Sequence, residues 1–321
     1  MKNKIIIVSG DPNSINSEII YKTWKKLNKK IKRKIYLIAN YKLIFNQLKK
    51  LKYKINIVKI KNLNQNILTD NLKIIDIPLN FKNPFKVSLQ NSTKYITECF
   101  NLAHKLARNN EVKGLINCPI DKKLLNKSKK IGVTEFLAAK NKINNDSEVM
   151  LIHSKKLSVV PLTTHINIKN VPKTINVNLI VKKMTTLQKD FKKLFDKKPK
   201  IGILGLNPHN AELASNSEEM RIINPAISRL KKKGFYVQGP LSADTLFINN
   251  YKKYDVIVGM YHDQVLAPFK SLFHFNAINI TLGLNYLRVS PDHGPAKDII
   301  NKNKANHLSL LKCVKFINNL N

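Results

Sequence analysis

Arginine is scarce in this chain. Arg33, Arg108, Arg221, Arg229 and Arg288 are the only arginines among 57 basic residues, which face 20 acidic ones for a formal net charge of +37. Such a charge raises a nucleic-acid reading. Recognition of phosphates and base edges, however, favours the planar fork of arginine, and an excess made almost wholly of lysine lacks it. The lysines are also spread along the whole chain among Asn and Ile rather than gathered into one stripe. The charge therefore reads as solvated surface, and no nucleic-acid partner is expected. A positive field still speeds encounter with anionic small molecules, an effect that salt weakens.

Cysteine is equally sparse. Cys99, Cys118 and Cys313 are odd in number and far apart, with no C-x-x-C, which excludes a disulfide framework or a zinc ribbon. They are expected to be reduced and structural. No apolar run approaches the ~20 residues that span a bilayer. The opening run Ile5-Ile6-Ile7-Val8 is too short for a signal segment and lacks a small-residue cleavage site, so it reads as a first β-strand of a cytoplasmic protein. Glycine numbers ten, and Gly10, Gly132, Gly205, Gly283 and Gly294 fall where strands meet turns. No G-x-G-x-x-G follows the first strand, where the chain reads Gly10-Asp11-Pro12-Asn13-Ser14-Ile15-Asn16. That excludes a Rossmann dinucleotide loop of the usual kind.

What is present is an alternation of short β-branched runs with longer amphipathic stretches, the pattern of a largely parallel α/β fold. Strands are expected at Ile5–Ser9, Lys34–Ala39, Ile55–Ile60, Gly114–Cys118, Val149–His153, Leu157–Leu162, Ile201–Leu206, Val256–Met260 and Ile278–Leu282. Helices are expected at Ser17–Leu27, Thr93–Arg108, Ile175–Phe195, Glu218–Lys233 and Ser309–Asn319, with a start or kink near Pro225. The stretch Lys61–Asn91 is the least regular and reads as a loop-rich connection. The length of 321 residues allows two domains.

Three of the eight histidines close expected strands in similar settings: His165 after Thr163-Thr164, His209 after Asn207-Pro208, and His262 after Met260-Tyr261. In α/β sheets, ligands bind at the carboxyl ends of strands. Three neutral imidazoles gathered there would suit a divalent cation with positions open for substrate. Taken singly, each is as well read as a half-buried histidine bonded to backbone. Their spacings of 44 and 53 residues carry no local metal signature.

Several further blocks stand in order along the chain: Thr134-Glu135-Phe136-Leu137, Thr163-Thr164-His165, Gly205-Leu206-Asn207-Pro208-His209, Gly239-Pro240-Leu241-Ser242-Ala243-Asp244-Thr245-Leu246-Phe247, Met260-Tyr261-His262-Asp263-Gln264 and Asn279-Ile280-Thr281-Leu282-Gly283-Leu284. Together they resemble the signature blocks of the 4-hydroxythreonine-4-phosphate dehydrogenase family, and the match spans nearly the whole chain. The resemblance implies two α/β domains flanking a cleft, like the isocitrate and isopropylmalate dehydrogenases and unlike a classical Rossmann fold. It implies an NAD-side domain of residues 1–125 with 285–321, and a metal- and dimer-forming domain of residues 126–284.

The same resemblance implies a homodimer that oxidises and decarboxylates 4-phosphohydroxy-L-threonine in vitamin B6 biosynthesis. NAD or NADP would be the oxidant, and Zn, Mg or Co would be held by His165, His209 and His262 across the dimer. Thr134, Lys270, Asn279 and Arg288 would hold the phosphate and polar groups of the substrate. The survival of Arg288 in a lysine-saturated chain fits a need for bidentate anion binding. Asp292, His293 and Gly294 resemble the turn with which the isocitrate dehydrogenase relatives grip the adenosine of NAD. Asp244 and Asp263 are expected to orient ligating histidines, and Asp244, or Lys270 through water, to act as base. Three departures bear on substrate identity: Val133 stands where the family has His, and glycines are missing within Asn13–Asn16 and at Cys118. Related substrates, a phosphorylated threonate or a cyclic dihydrodiol, remain open.

Overall fold

The computed structural model describes residues 3–65, 70–128, 132–141, 147–248 and 250–320. The chain divides into two compact units, Met1–Lys140 with Asn285–Asn321, and Asn141–Leu284. The passage out of the first unit thus falls after Lys140 rather than after residue 125. The helix Val133–Lys140 stays with the first unit because its Phe136 packs edge-on against Phe100, ring centroids 5.8 Å apart. Thr134 goes with it.

In chain order the first unit supplies β1 (Ile5–Val8), β2 (Ile35–Ala39), β3 (Ile57–Ile60), β4 (Leu72–Asp76) and β5 (Gly114–Asn117). The second supplies β6 (Val149–His153), β7 (Ser158–Pro161), β8 (Ile201–Leu204), β9 (Val237–Leu241), β10 (Val256–Gly259) and β11 (Ile278–Leu282). The chain then returns to the first unit with β12 (Arg288–Pro291). The first unit's strands lie in the order β3-β4-β2-β1-β5-β12, and their pairings are parallel. Every residue of β1 and β2 is buried, as in parallel strands covered on both faces. The second unit's order is β11-β6-β7-β10-β8-β9. There β6 runs antiparallel to its neighbours, while β7, β10, β8 and β9 run parallel.

The principal helices are α1 (Asn16–Lys26), α2 (Tyr41–Lys50), α3 (Leu89–Arg108), α4 (Val133–Lys140), α5 (Val177–Phe195), α6 (Asn224–Lys232), α7 (His262–Phe273) and α8 (Leu308–Asn319). The abundant asparagine serves as caps: the side chains of Asn40 and Asn176 accept from Leu43 N and Leu179 N at the starts of α2 and α5. Each such cap is worth about 1 kcal/mol. Ser88 caps α3, so that helix starts at Leu89, four residues before its expected start at Thr93. The expected helix Glu218–Lys233 is a π-helical turn, Glu219–Ile223, followed by α6, whose second residue is Pro225.

Several elements had no expectation. The stretch Lys61–Asn91 holds β4, hidden because Lys73 interrupts its apolar run yet is itself 1% exposed; Asn66–Thr69 of that stretch lie outside the described residues, as do Met1 and Lys2. Pro268 masked α7, Arg288 and Pro291 masked β12, and Gly239 with Pro240 masked β9. His262 therefore opens a helix rather than closing a strand.

The first turn shows how its lost glycines are accommodated. Gly10 has φ +74°, and a Cβ there would lie 2.5 Å from the carbonyl oxygen of Pro119. Asn16, at a position where the family carries glycine, donates from Nδ2 to that same oxygen at 2.8 Å. Asn13 exchanges two 2.8 Å bonds with the backbone of Val87. The three cysteines are buried and unbridged. Among the described residues no helix is long and apolar enough to cross a membrane.

Candidate active site

The three histidines follow β7, β8 and β10, which lie side by side in parallel in the order β7-β10-β8. Their carboxyl ends therefore point the same way. These ends are cross-tied: Thr163 donates from N and Oγ1 to the carbonyl of Met260 at 3.2 and 2.7 Å. Gln264 accepts from Met260 N and donates to the carbonyl of Gly205, both at 2.7 Å. The sequence displayed Gln264 inside a motif without revealing this bridging role.

Two imidazoles come together. The rings of His165 and His262 stand 5.8 Å apart between centroids, inclined by 37°. His262 Nδ1 is 2.7 Å from Asp263 Oδ1. A proton on Nδ1 donated to that carboxylate leaves Nε2 as the free lone pair, the arrangement common to metal-binding histidines. His209 stands elsewhere: its Nε2 is 3.7 Å from Asp244 Oδ2, its Nδ1 is 3.6 Å from Glu212 Oε1, and its side chain is 70% exposed. Among the described residues no three His, Cys, Asp or Glu side chains form a metal-holding group. The donor chemistry fits a divalent cation, since the imidazoles of His165 and His262 stand at close quarters, but among the described residues the set stops at two.

The position of His209 has a backbone cause. Residues 209–213 all have positive φ, between 47° and 58°, a left-handed turn of non-glycine residues. Such a turn costs roughly 1–2 kcal/mol per residue, so its surroundings must hold it. Glu219, which is 0% exposed, accepts from Leu206 N at 2.7 Å, Asn207 N at 2.8 Å and Asn207 Nδ2 at 3.0 Å. Burial alone would raise its carboxyl, but the bonds from Asn207 and Leu206 outweigh this and hold it below the usual range. Gly205 leaves room here for the Asn210 amide, since a Cβ would lie 2.1 Å from Asn210 Oδ1 and force that side chain to move.

Lys270 lies exposed two turns along α7 from His262. Asn279 lies on β11, and its Oδ1 is buried with no hydrogen-bond partner among the described residues. A ligand donor would satisfy that atom.

The first unit gathers a separate group. Arg288 opens β12 and is 2% exposed, and its Nε donates to Asn117 Oδ1 at 2.7 Å. Its NH1 donates to Thr134 Oγ1 at 3.4 Å. The expected partners Arg288 and Thr134 are thus neighbours, joined by Asn117, which the sequence did not single out. The turn Asp292-His293-Gly294 follows β12. Asp292 N donates to Ser309 Oγ at 3.0 Å, and His293 Nδ1 lies 3.0 Å from Gly294 O. Ile15 N donates to Pro295 O at 3.2 Å, and Lys297 pairs with Asp121. These bonds tether the segment to the loop after β1, to the loop after β5 and to α8, and it runs into the 3₁₀ turn Lys297–Ile299.

Comparison with known proteins bears on the family and the fold. Residues 30–317 match the family model described as pyridoxal phosphate biosynthetic protein PdxA. The 4-hydroxythreonine-4-phosphate dehydrogenase of Sulfurihydrogenibium sp. is 38% identical over 97% of this chain and 96% of its own. The crystal structure of 4-hydroxythreonine-4-phosphate dehydrogenase from Klebsiella pneumoniae superposes with a TM-score of 0.84 at 28% identity, covering 99% of this chain and 98% of that one. Isocitrate dehydrogenase from Methylococcus capsulatus shares the fold, with a TM-score of 0.50 at 10% identity over 98% of this chain and 84% of that one. With the family model matched over most of its length and a relative this similar across nearly all of it, the chain belongs to the PdxA family of pyridoxal phosphate biosynthetic proteins.

Proposed function

We propose that this chain is an oxidoreductase that converts 4-phosphohydroxy-L-threonine to 3-amino-2-oxopropyl phosphate and CO2, with NAD as oxidant and a divalent cation as aid. The observation that carries this reading is the buried Arg288–Thr134 pair in a chain of the PdxA family. A buried guanidinium is a strong, directional holder of a phosphate dianion.

Each group has a role that follows from its surroundings. Arg288 and Thr134 hold the phosphate, while Lys270 and Asn279 meet the remaining polar groups. His165 and His262 would hold the cation, with His209 supplied by a second copy of the chain in a homodimer. The exposure of His209, and the lack of any metal-holding group of three among the described residues, support that division. A bound cation such as Zn, Mg or Co would supply Lewis acidity toward the substrate hydroxyl, and Asp292, His293 and Gly294 would hold NAD, whose nicotinamide would be the hydride acceptor. Asp263 fixes the tautomer of His262. The hydroxyl proton would pass to a base, the role proposed for Asp244 or for Lys270 through water. The resulting β-keto acid loses its carboxylate as CO2, and the carbon left behind takes a proton. The three buried thiols fit a reducing, cytoplasmic location.

One observation favours a second reading. Val133 adjoins Thr134 and offers no polar side chain, so the contact a histidine would make with the substrate there is missing, which keeps a related phosphorylated substrate such as a phosphorylated threonate as the alternative. The test is an NADH assay with each substrate, with NAD or NADP, and with Zn, Mg or Co. NADH formed from 4-phosphohydroxy-L-threonine only when metal is added is the expected result. Silence with every substrate and metal would remove the enzyme reading, and turnover of the threonate alone would move the substrate.

A further inference from the structure

We propose that Asp121 is a positioning residue for the dinucleotide: through Lys297 it fixes the segment that follows Asp292-His293-Gly294 onto the loop after β5. The proposal rests on the reading of that turn as the holder of NAD. The segment needs support from outside. Ala296 has φ +47°, a left-handed conformation that a residue with a side chain disfavours. The 3₁₀ turn behind it, Lys297–Ile299, is closed by Ile299 N donating to Ala296 O at 3.2 Å. On the ligand side there is room: a Cβ built on Gly294 meets no described atom within 4 Å, so a dinucleotide can approach the backbone there.

The support comes from two paired strands, β1 and β5. Ile15 N, in the loop after β1, donates to Pro295 O at 3.2 Å. The Lys297 ammonium pairs with Asp121 Oδ2 in the loop after β5. Asp121 is itself aimed, because its Oδ1 accepts from Lys123 N and its carbonyl from Leu124 N, both at 3.0 Å. The loop that carries it is held in turn by Asp11 N and Asn16 Nδ2, which donate to Pro119 O at 3.1 and 2.8 Å. Partial burial would raise the Asp121 carboxyl, but the bonds from Lys297 and Lys123 N outweigh it and hold the group below the usual range. The same bond holds the Lys297 ammonium above its ordinary value. A turn held at both ends has less backbone freedom to lose when a dinucleotide arrives.

Two effects of Asp121 on an anionic dinucleotide oppose each other, and their signs separate them. As a bare negative charge it repels the pyrophosphate, so its removal would tighten binding. As the anchor of Lys297 it holds the turn, so its removal would weaken binding. Asn117 and the phosphate group of residues play no part in either effect. Asparagine at position 121 keeps an acceptor for Lys123 N but turns an N–H toward the Lys297 ammonium, which removes the anchor and leaves the loop's own bond.

Titration of the full-length protein with NADH, followed by the coenzyme's own fluorescence and without substrate, decides between them. Asp121→Asn is expected to raise the Kd for NADH about threefold at low salt, the scale of a half-exposed ion pair. In a Lys297→Met background the same substitution should weaken binding no further. The difference from wild type should vanish near 1 M salt, where the screening length is about 3 Å. A Kd that is unchanged or lower in Asp121→Asn, alongside a raised Kd in His293→Ala, overturns the positioning role and leaves the cofactor reading intact. An equal loss with and without Lys297 overturns it too, since Asp121 would then act by another route. An unchanged Kd in His293→Ala, or no NADH binding by the wild type, removes the cofactor turn and this proposal with it. Should Asp121→Asn not fold, hydrogen exchange of the wild type decides. Backbone amides of residues 293–299 are expected to exchange faster near 1 M salt than at low salt, while those of β12 do not change; equal exchange of residues 293–299 at both overturns the proposal.

Discussion

The two ends of this chain that carry chemistry are built to different degrees of completion. In the first unit, Arg288, Asn117 and Thr134 are buried and bonded to one another, the first two on neighbouring strands and the third on the start of α4. In the second, the histidines follow three adjacent parallel strands, but only His165 and His262 reach each other. The difference lies in the connection. His165 and His262 stand four and three residues beyond β7 and β10, whose ends are tied together by Thr163 and Met260, whereas His209 stands five residues beyond β8 on a left-handed turn that leaves it exposed. A site set by register completes itself inside one chain. A site set by loops can be left for a second chain to finish.

The largest effect expected is at the incomplete end. His262→Ala removes one of the two converged nitrogens, and metal-dependent NADH formation should fall by about a thousandfold, the several kcal/mol of transition-state stabilisation a Lewis acid contributes. Metal binding by calorimetry should be lost with it. Retained binding would show that this pair holds no cation. At the complete end, Arg288→Lys keeps the charge but loses the fork, at a cost of about 2 kcal/mol, or about thirtyfold in substrate KM. An effect on kcat alone would contradict phosphate holding.

The support of the left-handed turn is a smaller test. Glu219→Gln weakens the two bonds that Oε1 accepts and sets an amide N–H against Asn207 Nδ2, and stability in urea at neutral pH should fall by about 1–3 kcal/mol. Because the folded carboxyl lies below its unfolded value, its contribution is present above the usual carboxylate range and is lost as pH falls through the folded value. The variant should therefore show a flatter acid limb than the wild type; identical limbs would mean the carboxylate is not what holds the turn.

The smallest effect is expected far from either site. Burial, with a minor part from Lys4, lowers the Lys73 ammonium from 10.5 to about 8, and Nζ sits over the Tyr36 ring. Between these values Lys73 holds its proton more firmly in the unfolded chain than in the folded one, so its own contribution to stability should rise with pH across that window, on a background set by the other titrating groups. Lys73→Met should abolish the rise, which pH-dependent denaturation would detect.

The fold was legible wherever burial forces apolar runs: β1, β2 and β10 stand within a residue of their expected ends. It was illegible where a polar residue is buried with a partner. Lys73 hides β4 because its stem is covered while its ammonium bonds the carbonyl of Arg33. Arg288 hides β12 in the same way. For the site, residue types and motif order pointed to His165, His262, Thr134 and Arg288. Asn117, Glu219 and Gln264 went unseen, because each acts by bonding to backbone or to another side chain far along the chain. Such a role leaves no trace in local periodicity. Nor did any spacing foretell that His209 would stand apart, since a left-handed run of Asn, Ala, Glu and Leu contradicts the preferences of those residues.

The most direct test is subunit complementation. His209→Ala and His262→Ala chains are prepared separately, each expected to be inactive, then mixed under conditions that let copies exchange. If one cation draws His209 from one copy and His262 from the other, each mixed dimer regains one intact site, and activity should return to about a quarter of wild type at random pairing. A mixture that stays silent, although mixed dimers are shown to form, would contradict a metal centre shared between copies.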